Sequence, residues 1–298
     1  MRLEVIVPAE RSRFILVHYH IFKNAGSTIE SILEREFPER FATVHGRDSE
    51  TVLDAADLLA FAGQHPKVSA ISSHHLRYPK PVDRQCVFFD CCFLRHPLNR
   101  LQSCYNHFRR AGVDHPYAAW ARTSTSREFI RHLVEEAPHQ VSDVQVMQLS
   151  SGGAFTRPAD EQDLDRATAV VRDMAVPGLV EMFDESLVAG EYFLRPAFPS
   201  LRMEYLPRNV SPFGSAAAEQ SSEYWTSIWG ADLYETLLRM NEFDLELAAR
   251  TRQEIHRRLE LIPKLPEKLM DFKARCARLA LADISWQSGK RAATAAWA

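Results

Sequence analysis

The sequence predicts an α/β fold: a mostly parallel central sheet flanked by helices on both faces, followed by a helical C-terminal extension. Three observations predict it. Short apolar runs alternate with longer helix-like stretches from residue 13 to about residue 204. Two of those runs, Phe14–Val17 and Val87–Leu94, are apolar nearly throughout rather than alternating, as expected of strands covered on both faces. Each of the two leads into a polar turn and then a helix.

The first strand is expected over 13–19. Lys23-Asn-Ala-Gly-Ser-Thr28 follows it, and Ile29, Ile32, Leu33 and Phe37 then recur at helical spacing, giving a helix over 27–37. A helix N-terminus exposes unpaired N–H groups and a partial positive charge, so anions bind there. Gly26 lets a backbone approach an anion closely, Ser27 and Thr28 add hydroxyl donors, and Lys23 adds a mobile charge. The pattern is not the nucleotide loop G-x-x-x-x-G-K-S/T, because the lysine precedes the glycine and the loop is shorter. From the segment alone, an ordinary strand-to-helix turn capped by Ser27 or Thr28 accounts for it equally well.

A strand at 41–45, a helix at about 50–62 and a strand at 68–73 come next. The last ends in His74 and His75, where open parallel sheets place ligands, and histidine suits base work near neutral pH. Strand 87–94 contains one acid, Asp90, and ends in Arg95-His-Pro97. Pro97 fits the first turn of a helix over 97–110, marked by Leu98, Leu101, Tyr105 and Phe108. Arg95 and Ser103, two turns into that helix, are placed to converge on one phosphate. Arg100, Arg109 and Arg110 read as solvated.

Helices at about 126–136, 140–150, 160–174 and 184–195 and strands at 178–182 and 200–204 complete the alternation. Glu181, Asp184 and Glu185 suit a helix N-terminus better than a base role. Residues 205–222, rich in Pro, Ser, Asn and Gly, read as a loop, and 223–285 as helix alone. In the extension Leu259, Ile262, Leu265, Leu269, Phe272, Cys276 and Leu279 form a partial apolar stripe punctuated by Pro263 and Pro266. Packing back on the domain is expected of it, with a homodimer contact as the alternative. Arg250, Arg252, His256, Arg257 and Arg258 read as a solvated helix face, and the tail from Gly289 to Ala298 is expected to be disordered.

Composition narrows the class. The hydrophobic fraction, 46%, is ample for a core, and the formal net charge of -3 argues against a nucleic-acid partner. No apolar run approaches a membrane span and no signal core opens the chain, so a cytoplasmic, bacterial enzyme is the expectation. The five cysteines are odd in number and lack zinc spacing, so no metal site is expected of them.

Two segments some seventy residues apart therefore each offer groups that suit a phosphate. Together they resemble the PAPS-dependent sulfotransferases, in the branch of the heparan sulfate 2-O-sulfotransferases and bacterial carbohydrate sulfotransferases. That family's H-I-P-K-T-A-G-T-S segment reads here His20-Ile-Phe-Lys-Asn-Ala-Gly-Ser-Thr28, and its F-x-R-D-P-x-x-R-x-x-S segment reads Phe93-Leu-Arg-His-Pro-Leu-Asn-Arg-Leu-Gln-Ser103. Ser72-Ser-His-His-Leu-Arg-Tyr78 is similar to its G-H-x-x-F/Y turn, Val144–Gly152 to its Q-x-x-x-L-S-G stretch, and Gly178–Leu187 to G-L-x-E-x-F-D-E-S-L. Asn209-Val-Ser211 and Asn241–Leu247 resemble its N-V-S and N-x-x-D-x-x-L pieces. Phe22, Asn24 and His96 depart from the family's proline, threonine and aspartate, and an arginine common after the glutamine is missing near Val146 and Met147.

The resemblance implies a P-loop-like sulfotransferase fold over residues 1–248, with 249–298 as the extension. It implies PAPS as donor, PAP as product, and a hydroxyl acceptor, foremost a carbohydrate. Lys23 would bridge sulfonate and leaving phosphate, and Asn24, Ala25, Gly26, Ser27 and Thr28 would hold the 5′-phosphate. Arg95 and Ser103 would hold the 3′-phosphate, with Arg208 a third phosphate contact from the late loop. His75 matches the family's histidine and is the expected base, with His74 or an acid as alternatives. Residues 45–50, 76–84 and 111–125 are expected to shape the acceptor pocket. Two other readings stay open: a non-catalytic nucleotide-binding protein of the same fold, and an ATP-dependent phosphotransferase. The second is disfavoured by the missing G-K-S/T and by the lack of a strand-borne Mg²⁺ carboxylate.

Overall fold

The computed structural model describes residues 12–48, 51–150, 152, 157–206 and 221–295. Five strands form one parallel sheet: β1 (Arg13–Tyr19), β2 (Phe41–Thr43), β3 (Ala70–Ser73), β4 (Cys86–Leu94) and β5 (Val176–Leu179). Their order is β2-β3-β1-β4-β5. The helices, in chain order, are α1 (Gly26–Glu36), α2 (Ala55–Gln64), α3 (Pro97–Phe108), α4 (Pro116–Thr123), α5 (Ser126–Glu136), α6 (Val144–Ser150), α7 (Glu161–Asp173), α8 (Phe183–Leu194), α9 (Ser222–Trp229), α10 (Ala231–Met240), α11 (Glu242–Leu259) and α12 (Leu265–Ala295). Among the described residues no helix is long and apolar enough to cross a membrane.

Side chains alternate across a strand, and the core divides accordingly. Leu16, Ala70, Cys91, Phe93 and Val176 meet α1, α8 and Phe272 of α12 on one face. Ile15, Val17, Ile71, Phe88, Cys92 and Leu94 meet α2, α6, α7 and α11 on the other. A third cluster joins α3, α4, α5, α9 and α10 beside the sheet. This division is what right-handed crossovers require. The chain leaves β1 for β2 through α1 on one face, returns to β3 through α2 on the other, and reaches β5 through α6 and α7 on that same face. The neighbours β1 and β4 therefore send their following connections to opposite faces. Their carboxyl ends flank the sheet's topological switch point, the crevice position where parallel sheets take ligands.

Four expected strands are found within two residues of their bounds. The fifth starts two residues early and ends three early, its end set by Val180–Met182, which coil into a 3-10 turn before α8. Residues 201–206 join no sheet. Side chains satisfy their backbone instead: Glu36 and Glu191 accept from Arg202 N and Met203 N, and Arg35 donates to the carbonyls of Arg202 and Glu204. The buried acid of β4 is likewise satisfied, since Asp90 accepts from the Tyr78 hydroxyl, Lys80 Nζ and Ala175 N.

The C-terminal extension packs on the domain. The boundary expected at 248 falls inside α11, whose Ile255 and Leu259 are buried in the sheet's core. Phe272 is fully buried, and Arg275 pairs with Glu191, Glu204 and Asp271. The backbone stays helical to Ala295, where disorder was expected from Gly289. Arg250 and Arg257 do lie on a solvated face, paired with Glu246 and Glu254, but Arg258 turns inward to the carbonyls of Arg172, Met174 and Ala175.

Candidate phosphate and base site

The turn after β1 is strained. Lys23 and Ala25 both adopt left-handed backbone angles (φ 68° and 62°), a conformation that costs a residue with a Cβ on the order of 1–2 kcal/mol. Helix α1 starts on Ala25 with no side-chain cap and no acid in its first turn. Most other helix starts are occupied. Capping boxes close α2, α5 and α7, and Glu181 closes α3. Lys23 makes no ion pair among the described residues, and its Nζ lies 5.6 Å from the Phe22 ring. Burial, and then the guanidinium groups of Arg110 and Arg95, hold its ammonium below the ordinary lysine value.

Asn24 takes a role the sequence did not suggest. Its side chain is buried, and Nδ2 donates to the Phe93 carbonyl at 2.9 Å and to Gln145 Oε1 at 2.7 Å. It ties the two turns together, so its amide nitrogen is not available to a ligand. Gln145 is the hub of that tie. Its Oε1 also accepts from Arg95 N at 2.8 Å, and its Nε2 donates to Arg95 O at 2.8 Å and to Asp244 Oδ2 at 3.1 Å. Arg95 Nη1 donates to the Lys23 carbonyl at 3.0 Å. Arg95 Nε is buried with no acceptor among the described residues, and an anion's oxygen would supply one. The groups present thus fit a phosphate: an uncapped helix start, an unpaired lysine and an arginine with an orphan donor.

The start of α3 is closed to anions. Glu181 accepts from His96 N at 3.1 Å and from Asn99 Nδ2 at 3.0 Å, and so occupies the helix terminus itself. Asp184 is similarly committed, accepting from the Tyr205 hydroxyl at 2.9 Å. Any second phosphate contact at this turn falls to the Arg95 guanidinium. Ser103 stands half-buried on α3, one turn beyond Asn99, while Ser27 is exposed and Thr28 buried in α1. Arg100 is not solvated as expected but buried, donating to the Gln140 carbonyl. Arg208 lies outside the described residues, as does the Asn209-Val-Ser211 segment.

The histidines separate by tautomer. Ser73 Oγ accepts from the backbone N–H groups of His75 and Leu76 and turns the chain sharply after β3. This swings His75 away toward the 45–46 segment, where its Nδ1 accepts from Gly46 N. With that lone pair used, the neutral ring carries its proton on Nε2 and has no base to offer. The expectation of His75 as base fails on this geometry. His74 is the reverse case. Its Nδ1 donates to the His20 carbonyl at 3.0 Å, which leaves Nε2 with an open lone pair. Burial, and then repulsion from His20, push its pKa down to about 4, so the lone pair is present throughout the neutral range.

His20, Glu30, Ser72 and His18 surround it, and none stood out in the sequence as a working group. His20 lies tilted against His74 with ring centroids 3.6 Å apart, and a Cβ on Gly26 would overlap the His20 ring outright. Gly26 therefore makes room for this histidine, a use distinct from approach to an anion. Donor atoms of His18, His20 and Glu30 lie within 4.8 Å of one another, but they are engaged in hydrogen bonds with each other and Ser72. Phe22, 37% exposed, sits at the mouth against His74, His107 and Phe108, and His115 and Tyr117 continue this aromatic surface onto α4.

No family model matches the chain. The chain is 27% identical over 243 residues to a protein of Archaeoglobus fulgidus described as uncharacterized, a match that spans 79% of this chain and 95% of that protein.

Proposed function

We propose that this protein is a sulfotransferase that moves the sulfuryl group of PAPS to a hydroxyl of a carbohydrate. The observation that carries the reading is the pairing of the Lys23 and Arg95 turns at the β1/β4 crevice, locked together through Arg95, Asn24 and Gln145. Two cationic turns at a fixed separation suit a nucleotide with phosphate at both ends better than a simple mononucleotide. The α1 start, with Ser27 and Thr28, would hold the 5′-phosphate, and Arg95, through its orphan Nε, the 3′-phosphate. Ser103 and Arg208 are further candidates for the 3′ end.

When bound, PAPS supplies the sulfuryl group, whose bond to the phosphate oxygen breaks with its electron pair on the leaving phosphate as the acceptor oxygen bonds to sulfur. Lys23, with no ion pair among the described residues, stabilises the charge that grows on that oxygen. His74 takes the acceptor's proton on Nε2, the base role passing to it from His75. The aromatic surface from Phe22 to Tyr117 supports a sugar acceptor, since the apolar faces of sugar rings pack on aromatic side chains.

The test is transfer of labelled sulfate from PAPS to a panel of mono- and oligosaccharides. Turnover is expected on at least one sugar. Lys23→Ala should lower kcat by roughly 100-fold or more with PAP affinity changed less than tenfold. Equal losses in both would contradict a transition-state role for the lysine, and no transfer to any hydroxyl would contradict the reaction.

A further inference from the structure

A row of three imidazoles runs beneath the Lys23 turn. His18 and His20 stack with centroids 5.0 Å apart, and His20 and His74 meet tilted at 3.6 Å. Glu30, one helical turn past Gly26 on the same face of α1, closes the row. Its Oε1 accepts from His20 Nδ1 at 3.0 Å and from the Ser72 hydroxyl at 2.9 Å. Because the Ser72 proton goes to Glu30, Ser72 Oγ accepts in turn from His18 Nδ1 at 2.9 Å. Every proton in the group has one place. His18, His20 and His74 each carry theirs on Nδ1.

Glu30 has no lysine or arginine partner among the described residues, and its only ion-pair partner is a histidine. A half-buried carboxylate held by hydrogen bonds to a histidine and a hydroxyl leaves its charge unbalanced by any permanent cation. Protonation of a nearby imidazole is what balances it. We propose that Glu30 is the counter-ion of the imidazolium that His74 becomes on taking the acceptor's proton, and that the interposed His20 ring couples the two. The inference rests on the assignment of His74 as the base.

The roles differ along the row. His20 holds His74 by two contacts, its carbonyl fixing the tautomer and its ring face fixing the plane. Glu30 holds the His20 ring by Nδ1, and Gly26 leaves the space for it. Glu30 is thus a positioning residue, acting through His20. The charges that face His74 are His18 from β1, His20 just past its end, Glu30 from α1 and His75 from its own turn. Of these charges Glu30 alone favours the protonated ring, beside the hydrogen bond that His74 makes to the His20 carbonyl. Burial disfavours the Glu30 carboxylate, but its bonds to His20 and Ser72 outweigh that and hold it below the ordinary glutamate value, so it is ionised when the base is called on.

The test is an NMR titration of the histidine side-chain nitrogens in the full chain without ligand, wild type against Glu30→Gln. The glutamine keeps an acceptor for His20 and Ser72 and removes only the charge. The His74 midpoint is expected to fall by about one unit in the variant. An unchanged or raised midpoint overturns the proposal. Should the variant not fold, the wild type alone decides: Nδ1–H tautomers are required at both His20 and His74 at neutral pH, and the opposite tautomer at either breaks the chain. In turnover, Glu30→Gln should lower kcat about tenfold with the KM for PAPS unchanged. The titration needs no PAPS, so its outcome is separate from that of the reaction. Inactivity toward PAPS with a shifted midpoint would remove the sulfotransferase and leave the Glu30–His74 coupling. An active enzyme with a constant midpoint would do the opposite.

Discussion

Gln145 has two acceptor lone pairs and two N–H donors, and all four are spent between Asn24, Arg95 and Asp244. Nothing about it touches a ligand, yet it sets the separation of the two cationic turns. Gln145→Leu keeps the volume and removes one of the two acceptors of the Asn24 amide, the partners of both backbone groups of Arg95 and one bond to Asp244. We expect a loss of about 3 kcal/mol or more in equilibrium unfolding and at least a tenfold loss in PAP affinity. A variant with wild-type stability and affinity would show that the turns hold their spacing without it. The working groups of this site were only partly legible in the sequence. Lys23 and Arg95 are visible because a strand, a polar turn and a helix recur in order. Asn24 looked like a ligand donor, because nothing local says that the Phe93 carbonyl lies within its reach. The choice between His74 and His75 turns on one residue of register at a strand end, which no residue type signals. Nothing in the type or spacing of Glu30 sets it apart from the other polar positions of α1.

Helix ends decide much of the electrostatics. At the start of α6 two carboxyl groups meet. Asp244 accepts from Gln145 N and Val146 N, and Asp143, at φ 43°, accepts from Asp244 N. Burial, and then the charge of Asp244, push the Asp143 carboxyl up to about 7. Unfolded, it titrates near 3.9. Between those values the folded chain keeps a proton that the unfolded chain has released. Its contribution to stability is therefore fully present below the unfolded value and is lost as pH rises through about 7. Asp143→Asn keeps the acceptor, tolerates the left-handed backbone and removes the titration. The variant should melt above the wild type at pH about 8, with the gap closing toward pH about 5. Parallel melting curves across that range would contradict a raised carboxyl. At this scale the strands were legible where apolar runs are continuous, as in β1 and β4. The 200–204 run misled because side chains from α1 and α8, rather than a neighbouring strand, take up its backbone. Helix α4 was not among the expected helices.

For the molecule as a whole, the strand order matters most. It places β1 between β3 and β4, so the turn carrying Lys23 is flanked by the one carrying His74 and the one carrying Arg95. Alternating strands and helices predict a parallel sheet with two covered faces, but not which strands are neighbours. That order arises from the crossovers. The extension past residue 248 completes both faces of the sheet, through Ile255 and Leu259 on one and Phe272 on the other. The central claim is that the crevice holds a nucleotide with phosphate at both ends. The most direct measurement is thermal unfolding with PAP, set against 5′-AMP and ATP, for the wild type and Arg95→Ala. At about a thousand times its dissociation constant, PAP should add roughly 4 kcal/mol of stability and raise the midpoint by several degrees. That shift should exceed those with 5′-AMP and ATP and be lost in the variant. No shift with PAP, or an equal one with ATP, would contradict the claim.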